Sequence, residues 1–198
     1  MKTYSYQAIN QIIQNPNLKT LLTKHANTLI SQIKDDVVIK PELIDEIDLG
    51  AFKNKNDRGA PVRKEAFAVL ETIVENFPNI DQSTVVDSTI FGLKDTFDNI
   101  QNQCLNLMGQ LFKVCNSIVI SKMDSLTGGF DHIYKKNKNN LSKEKEAEKS
   151  LTLMRGVFRL CRTINNIEEA KSNVAFDNWF QTTILGVEDL KVMYESQK

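Results

Sequence analysis

The chain has 198 residues, enough for one domain or a short repeat array with a real core. Lys plus Arg and Asp plus Glu stand at 25 each, a formal net charge of zero that lacks the basic excess from which nucleic-acid-binding domains draw most of their affinity. With 8 Gly and 4 Pro the composition suits long helices better than a sheet protein, and no apolar run approaches the roughly 20 residues that span a bilayer. Neither a nucleic acid nor a membrane is expected as a partner.

Apolar residues recur at helical spacing almost throughout. Tyr6, Ile9 and Ile13 form a first stripe that ends near Asn15-Pro16. Leu18, Leu22, His25, Leu29 and Ile33 form the second. The pattern then breaks. Glu46-Ile47-Asp48-Leu49-Gly50-Ala51-Phe52-Lys53 and Ala60 to Phe67 read as two extended arms around a turn at Asn54 to Gly59. Asn and Asp tolerate left-handed backbone, Gly59 can supply a positive φ, and Pro61 suits an edge strand. A two-stranded hairpin is marginal in water and presents unpaired edges, so it is more readily a tool for contact than part of a core. An ordinary inter-helix loop containing Gly and Pro fits the residues equally well.

Helical spacing resumes with Val62, Ala66, Leu70, Ile73 and Phe77, and Pro78 stops that helix. Val86, Ile90, Leu93 and Phe97 follow. Asp98 then reads as an N-cap, with Gln101 completing a capping box over Ile100, Cys104, Leu107, Leu111 and Cys115. Val119, Met123, Leu126, Phe130 and Ile133 form the next stripe, where Gly128-Gly129 marks a bend or a close helix contact. Residues from about 135 to 145 are a charged loop, with Ser142 a candidate N-cap for the long helix carrying Leu151, Met154, Phe158 and Cys161. Lys135, Lys136 and Lys138 are read as hydrated charges, with a basic docking site as the sharper alternative. Phe176, Trp179 and Phe180 read as the buried face of a late helix, with an exposed anchor for a partner as the alternative, and Val187, Leu190 and Tyr194 close the chain.

A shift of 41 positions sets Phe67 on Met108, Leu70 on Leu111 and Ile73 on Val114, near the period of HEAT and armadillo repeats. The expected fold is therefore all-α: a HEAT-like α-solenoid segment of stacked helix pairs, one domain over residues 1–198, with one β-hairpin inserted at about 46–64. Tyr4, Tyr6 and Ile9 give the first helix little polar cap, as in the last part of a longer stack.

Candidates for chemistry are sparse. His25 falls on an apolar stripe and reads as packing; His132 has no nearby Cys or second His. The carboxylates Asp45, Glu46 and Asp48 flank extended structure, and neither a phosphate loop nor Gly-x-Ser-x-Gly occurs. Cys104, Cys115 and Cys161 are odd in number and read as buried, reduced thiols. No apolar h-region follows Met1, so a cytoplasmic or nuclear location is expected, and the sequon Asn140-Leu141-Ser142 carries little weight. No catalytic residue, metal site or cofactor is assigned.

From Lys40 the chain resembles the C-terminal domain of the cullin-associated, neddylation-dissociated proteins, also described as TATA-binding-protein-interacting proteins. The resemblance runs through Lys40-Pro41-Glu42-Leu43-Ile44-Asp45 to Lys53, Asp57-Arg58-Gly59, Val62-Arg63-Lys64-Glu65-Ala66-Phe67, Gly92-Leu93-Lys94-Asp95, Lys143 to Glu146, Met154-Arg155 and Leu190 to Ser196. It departs from the family pattern at Ala51, where proline is expected, and at Arg58, where an acid is expected. It implies a non-enzymatic regulator of cullin–RING ubiquitin ligases that binds the cullin N-terminal region with its RING subunit. On that view the hairpin contests the adaptor and substrate-receptor surface, which promotes receptor exchange. The implied partner-binding positions are Glu46, Ile47, Asp48, Leu49, Gly50, Ala51, Phe52 and Lys53, then Asp57, Arg58, Gly59, Val62, Arg63 and Lys64. Family members are much longer, so a separate N-terminal subunit is a further implied partner. The alternative is a HEAT-type scaffold with another client, a transcription or transport factor.

Overall fold

The structure, a computed structural model, describes residues 1–48, 53–141 and 144–196. The fold is all-α and HEAT-like, with one two-stranded antiparallel sheet. Two compact units divide the chain, Met1–Ser88 and Thr89–Lys198.

In the first unit, α1 (Lys2–Gln14) and α3 (Ala26–Asp36) both pack on α4 (Ala60–Asn76). Between α1 and α3 runs the short α2 (Lys19–Leu22) and a 3₁₀ turn, Thr23–His25. Tyr6 and Ile13 of α1 are buried, as their spacing predicts. Helix α4 buries Ala66, Phe67, Val69, Leu70, Ile73 and Val74, more than one stripe, because it has neighbours on more than one side. The second expected stripe is only partly realised. The 3₁₀ turn shifts the helical phase, leaving His25 exposed and making Ala26, Ile30 and Ile33 the buried face of α3. His25 is therefore not a packed core histidine.

The hairpin strands β1 (Ile44–Asp48) and β2 (Lys53–Asp57) lie between α3 and α4 in sequence. Helix α5 (Gln82–Gly92) follows α4, and the unit boundary falls within it.

The second unit contains α6 (Asp98–Val114), α7 (Asn116–Ile120), α8 (Met123–Asn137), α9 (Glu144–Asn165), α10 (Glu168–Lys171), α11 (Val174–Trp179) and α12 (Glu188–Ser196). A π-helical turn, Phe180–Leu185, joins the last two. Helix α6 lies against α9 and α8 against α11, so first helices pair with first and second with second, the packing rule of a HEAT array. Glycine sets one of these distances: a Cβ on Gly156 would come within 2.8 Å of Leu105 Cδ1, so α6 and α9 approach where only hydrogen fits. Gly129 makes the close contact expected of it, 2.9 Å from Leu93 Cδ1 to a Cβ placed there.

The repeat offset differs from the sequence estimate. Helices α4 and α6 are each 17 residues long and begin at Ala60 and Asp98, which places the buried Leu70 on the buried Met108 and Ile73 on Leu111. Val114, which a shift of 41 would equate with Ile73, is half exposed. The capping box is also revised. Phe97 is the N-cap and makes no side-chain cap bond; Asp98 is the first helical residue. Gln101 is fully buried, its Nε2 donating to the Leu93 carbonyl at 2.9 Å, and Lys136 Nζ donates to its Oε1 at 3.1 Å. The amide thus satisfies a buried backbone carbonyl in place of its own helix terminus.

Lys135 and Lys136 belong to the last turn of α8, and both are paired: Lys135 with Asp131 at 2.6 Å, Lys136 with Asp98 at 2.7 Å. The charged loop therefore starts later than residue 135, and Ser142 lies outside the described residues. Phe176, Trp179 and Phe180 are buried as expected, and Phe180 meets Tyr194 edge-on at 5.3 Å. Tyr194 in turn carries Arg162 over its ring at 5.0 Å and accepts from it at the backbone carbonyl, which ties α12 to α9. Cys104, Cys115 and Cys161 are free and buried; burial raises the thiol pKa of Cys115 and Cys161 and keeps both protonated.

Candidate functional site

The hairpin is real but lies earlier in the chain than the sequence suggests. Its register sets Ile44 opposite Asp57, Glu46 opposite Lys55 and Asp48 opposite Lys53. Glu46 and Lys55, of opposite charge, therefore stand at one cross-strand position, a favourable pairing. Its strands cover Ile44–Asp48 and Lys53–Asp57, where the sequence suggested a hairpin at about 46–64, and Asn54 to Asp57 form a strand instead of a turn. The expected second arm, Ala60 to Phe67, is the start of α4, and Val62, Arg63 and Lys64 are helical.

Two local facts explain the shift. Pro61 sits in the first turn of α4, where a missing N–H costs nothing and the fixed φ favours a helix. Gly59, at φ −80°, ψ −22°, adopts ordinary right-handed backbone and caps α4 without the positive φ a hairpin turn would require. Leu49, Gly50, Ala51 and Phe52, four of the implied partner-binding positions, lie outside the described residues. Ile47, Asp48 and Lys53 are placed by register alone.

The base of the ribbon is held by a buried ion pair. Arg63 Nη2 donates to Asp57 Oδ2 at 2.8 Å and Nη1 to Oδ1 at 3.3 Å, with the two side chains only 1% and 6% exposed. The Gly59 N–H donates to the same Oδ1 at 2.8 Å. This fork-to-fork geometry leaves little of either charge unmatched, which a buried pair requires. A Cβ on Gly59 would sit 3.1 Å from both Arg63 Nη1 and Asp57 Oδ1, so glycine here is a matter of space. Two further bonds close the base: Arg58 N–H donates to the Leu43 carbonyl at 3.0 Å, and Arg58 Nε lies 2.8 Å from Asp45 Oδ2. Arg58, a departure from the family pattern, thus has a partner of its own one strand away.

Electrostatics reinforce the anchor. Burial pushes the Asp57 carboxyl upward, but bonds from Arg63 and the Gly59 N–H outweigh it and hold the pKa below the usual carboxylate range. A second hub lies nearby at Asp36, which accepts from Lys2 Nζ at 2.7 Å, Tyr6 OH at 2.8 Å and Lys40 Nζ at 3.1 Å. Its carboxyl is also lowered: burial opposes, and the bonds from Lys2, Tyr6 and Lys40 prevail. Burial first, then Asp36, raises the Tyr6 hydroxyl. A cleft of about 140 Å³ between these groups is lined by Lys2, Asp36, Lys40, Leu43, Gly59 and Arg63.

The predicted residues thus divide. Asp57, Gly59 and Arg63 come together as an internal clamp. Glu46 and Arg58 are exposed on the ribbon, Lys64 is exposed on α4, and Val62 is half-buried beside the cleft. Sequence reasoning missed Asp45, Lys55 and Asn56, all exposed strand residues. The sequence offers little signal for them: Ile44 and Ile47 are three apart, which is not the alternation of a half-buried strand, and polar residues fill the positions between. Among the described residues no cluster of His, Cys, Asp and Glu could hold a metal ion, and no helix is long and apolar enough to cross a membrane. At His132 burial, then Lys136 and Lys94, lowers the imidazole pKa.

A family model described as "TATA-binding protein interacting (TIP20)" matches residues 21–183. The chain is similar to Cullin-associated NEDD8-dissociated protein 1 of Dictyostelium discoideum, at 28% identity over 89% of the chain and 14% of that protein. It is similar to the protein of that name from Arabidopsis thaliana, at 30% identity over 77% of the chain and 12% of that protein. A third relative, from Emericella nidulans, is named "Cullin-associated NEDD8-dissociated protein 1, C-terminal part" and is 27% identical over 75% of the chain and 14% of that protein. The chain spans about one seventh or less of the length of these relatives. With a family model covering most of its length, the chain belongs to the TATA-binding-protein-interacting family, as its C-terminal domain.

Proposed function

We propose that this chain is a non-enzymatic, cullin-binding regulator of cullin–RING ubiquitin ligases, acting as the C-terminal part of a longer or split regulator in the cytoplasm or nucleus. It engages the cullin N-terminal region of a complex that includes the RING subunit. The hairpin competes there with the adaptor and substrate-receptor module. The observation that carries this reading is the ribbon itself: Asp45, Glu46, Lys55 and Asn56 are exposed, while its base is locked by the buried Asp57–Arg63 pair. A rigid base and solvated strands suit a contact element more than a packing element. Family membership and the cullin association in the relatives' names supply the partner class.

Competition needs no covalent chemistry. If this chain weakens adaptor binding by some factor, the adaptor must weaken binding of this chain by the same factor. Faster release of one receptor then frees the cullin to sample another. The direct test is a pull-down of the chain with a purified cullin–RING complex, with and without an N-terminal subunit of the same family. Retention in either condition supports the proposal, and failure in both contradicts it.

A further inference from the structure

The seam between α6 and α9 carries a second surface, independent of the hairpin. Two open clefts lie along it, of about 470 Å³ and about 230 Å³. The first is lined by Asp98, Asn99 and Asn102 of α6 and by Lys149 and Thr152 of α9. The second is lined by Asn106, Gln110 and Lys113 of α6 and by Arg159 and Thr163 of α9. The pairing of low numbers with low and high with high means that the two helices run side by side in the same direction.

The α6 side is a row of amides. Asn99, Asn102, Asn106 and Gln110 recur at spacings of three and four, so they share one helical face. Asn99 Oδ1 already accepts from the Ile100 N–H at 2.9 Å, but Asn102 and Asn106 at the middle of the row each carry both a donor and an acceptor, the combination an extended peptide backbone needs. The row and Lys113 cover about 21 Å of helix, the length of roughly six extended residues. Gly156 keeps the opposite wall low at the middle of the seam.

The charged lining is one-sided. Lys113, Lys149 and Arg159 are exposed, and among the described residues none of the three has an ion-pair partner. The one acid lining the clefts, Asp98, is already paired with Lys136 at 2.7 Å. Glu148, next to Lys149, is engaged by Arg155 at 3.2 Å. Among the side chains described, this leaves a local cationic excess beside a backbone-reading row.

We propose that the α6–α9 seam binds an extended acidic segment of a partner protein, its backbone along the amide row and its carboxylates toward Lys113, Lys149 and Arg159. Three cations over this length are too few to neutralise a run of phosphates, which favours a peptide over RNA.

The test uses the full chain and a fluorescently labelled peptide of alternating Glu and Ser, read by fluorescence anisotropy at low salt. The double variant Lys113→Glu, Arg159→Glu is expected to weaken binding about tenfold or more, the scale of losing two charge-assisted contacts. The control double variant Lys24→Glu, Lys34→Glu has the same charge change at exposed sites of the first unit and is expected to stay within about twofold. The paired substitution Asn102→Ala, Asn106→Ala should weaken binding while leaving its salt dependence unchanged. No binding by the wild type, equal loss in the control variant, or equal affinity for an oligouridylate of matching charge would overturn the proposal. Because the hairpin is untouched in every variant, cullin retention is expected to be unchanged, which separates this outcome from the fate of the hairpin reading.

Discussion

At Arg63 the sequence suggested a partner contact and the fold uses an anchor. The guanidinium is 1% exposed and forks onto Asp57, so Arg63→Ala would leave an uncompensated carboxylate inside the protein. We expect a loss of about 3 kcal/mol or more in urea unfolding, the usual range for removing one member of a buried pair. Gly59→Ala should cost about 1 kcal/mol by crowding the same pair at 3.1 Å. Acid should act on the same group. Asp57 has a folded pKa below its unfolded value of about 3.9, so its stabilisation is complete above that value and is lost as pH falls through the lowered one. Between about pH 5 and pH 2 the wild type should therefore lose more stability than Asp57→Asn, measured by urea unfolding across pH. Parallel curves would assign acid sensitivity elsewhere. Nothing in the local sequence distinguishes Arg63, which fixes an ion pair, from Lys64, which faces solvent. Both stand in one basic dipeptide, and only the helical phase of α4 separates them.

At the scale of elements, apolar periodicity located nearly every helix, because a buried stripe is a local property of the chain. It failed where a tertiary demand overrode it. The 3₁₀ turn at Thr23–His25 moved the buried face of α3, and Gln101 left its helix end to serve the Leu93 carbonyl. The hairpin was legible as a break in pattern, but its register was not. Ser, Thr and apolar alternation are scarce in Asp45 to Asp57, and Asn54 to Gly59 has strong turn chemistry, yet Asn54 to Asp57 is pinned as strand by pairing with β1 and by the clamp on Asp57. This placement sharpens the design of a deletion. Replacing residues 46–55 by a short Gly-Ser turn keeps Asp57, Gly59 and Arg63 together, and far-UV circular dichroism should show unchanged helix content. A replacement extending through Asp57 should lower the melting temperature as well. Helix packing has an equally direct probe. Gly156→Leu would force α6 and α9 apart at Leu105 and should destabilise the second unit by about 1–3 kcal/mol, read from its unfolding midpoint.

For the whole molecule, the family could be read from the block around residues 40–67 before any coordinate, and the fold class from repeat period and composition. Neither the two compact units nor the α6–α9 seam was foreseen. Both depend on which helix faces which, and a single sequence carries that only weakly. The proposed regulator works by geometry alone: a HEAT-like scaffold holds a ribbon at its base by the buried Asp57–Arg63 pair and leaves Asp45, Glu46, Lys55 and Asn56 exposed to a partner. Release of an adaptor and receptor module from a cullin–RING complex, followed by fluorescence energy transfer, tests this most directly. The chain, supplied with an N-terminal subunit of its family where one is required, should accelerate release. The variant with residues 46–55 replaced should still bind cullin yet lose most of that acceleration. Equal acceleration by the wild type and the trimmed variant would contradict the account.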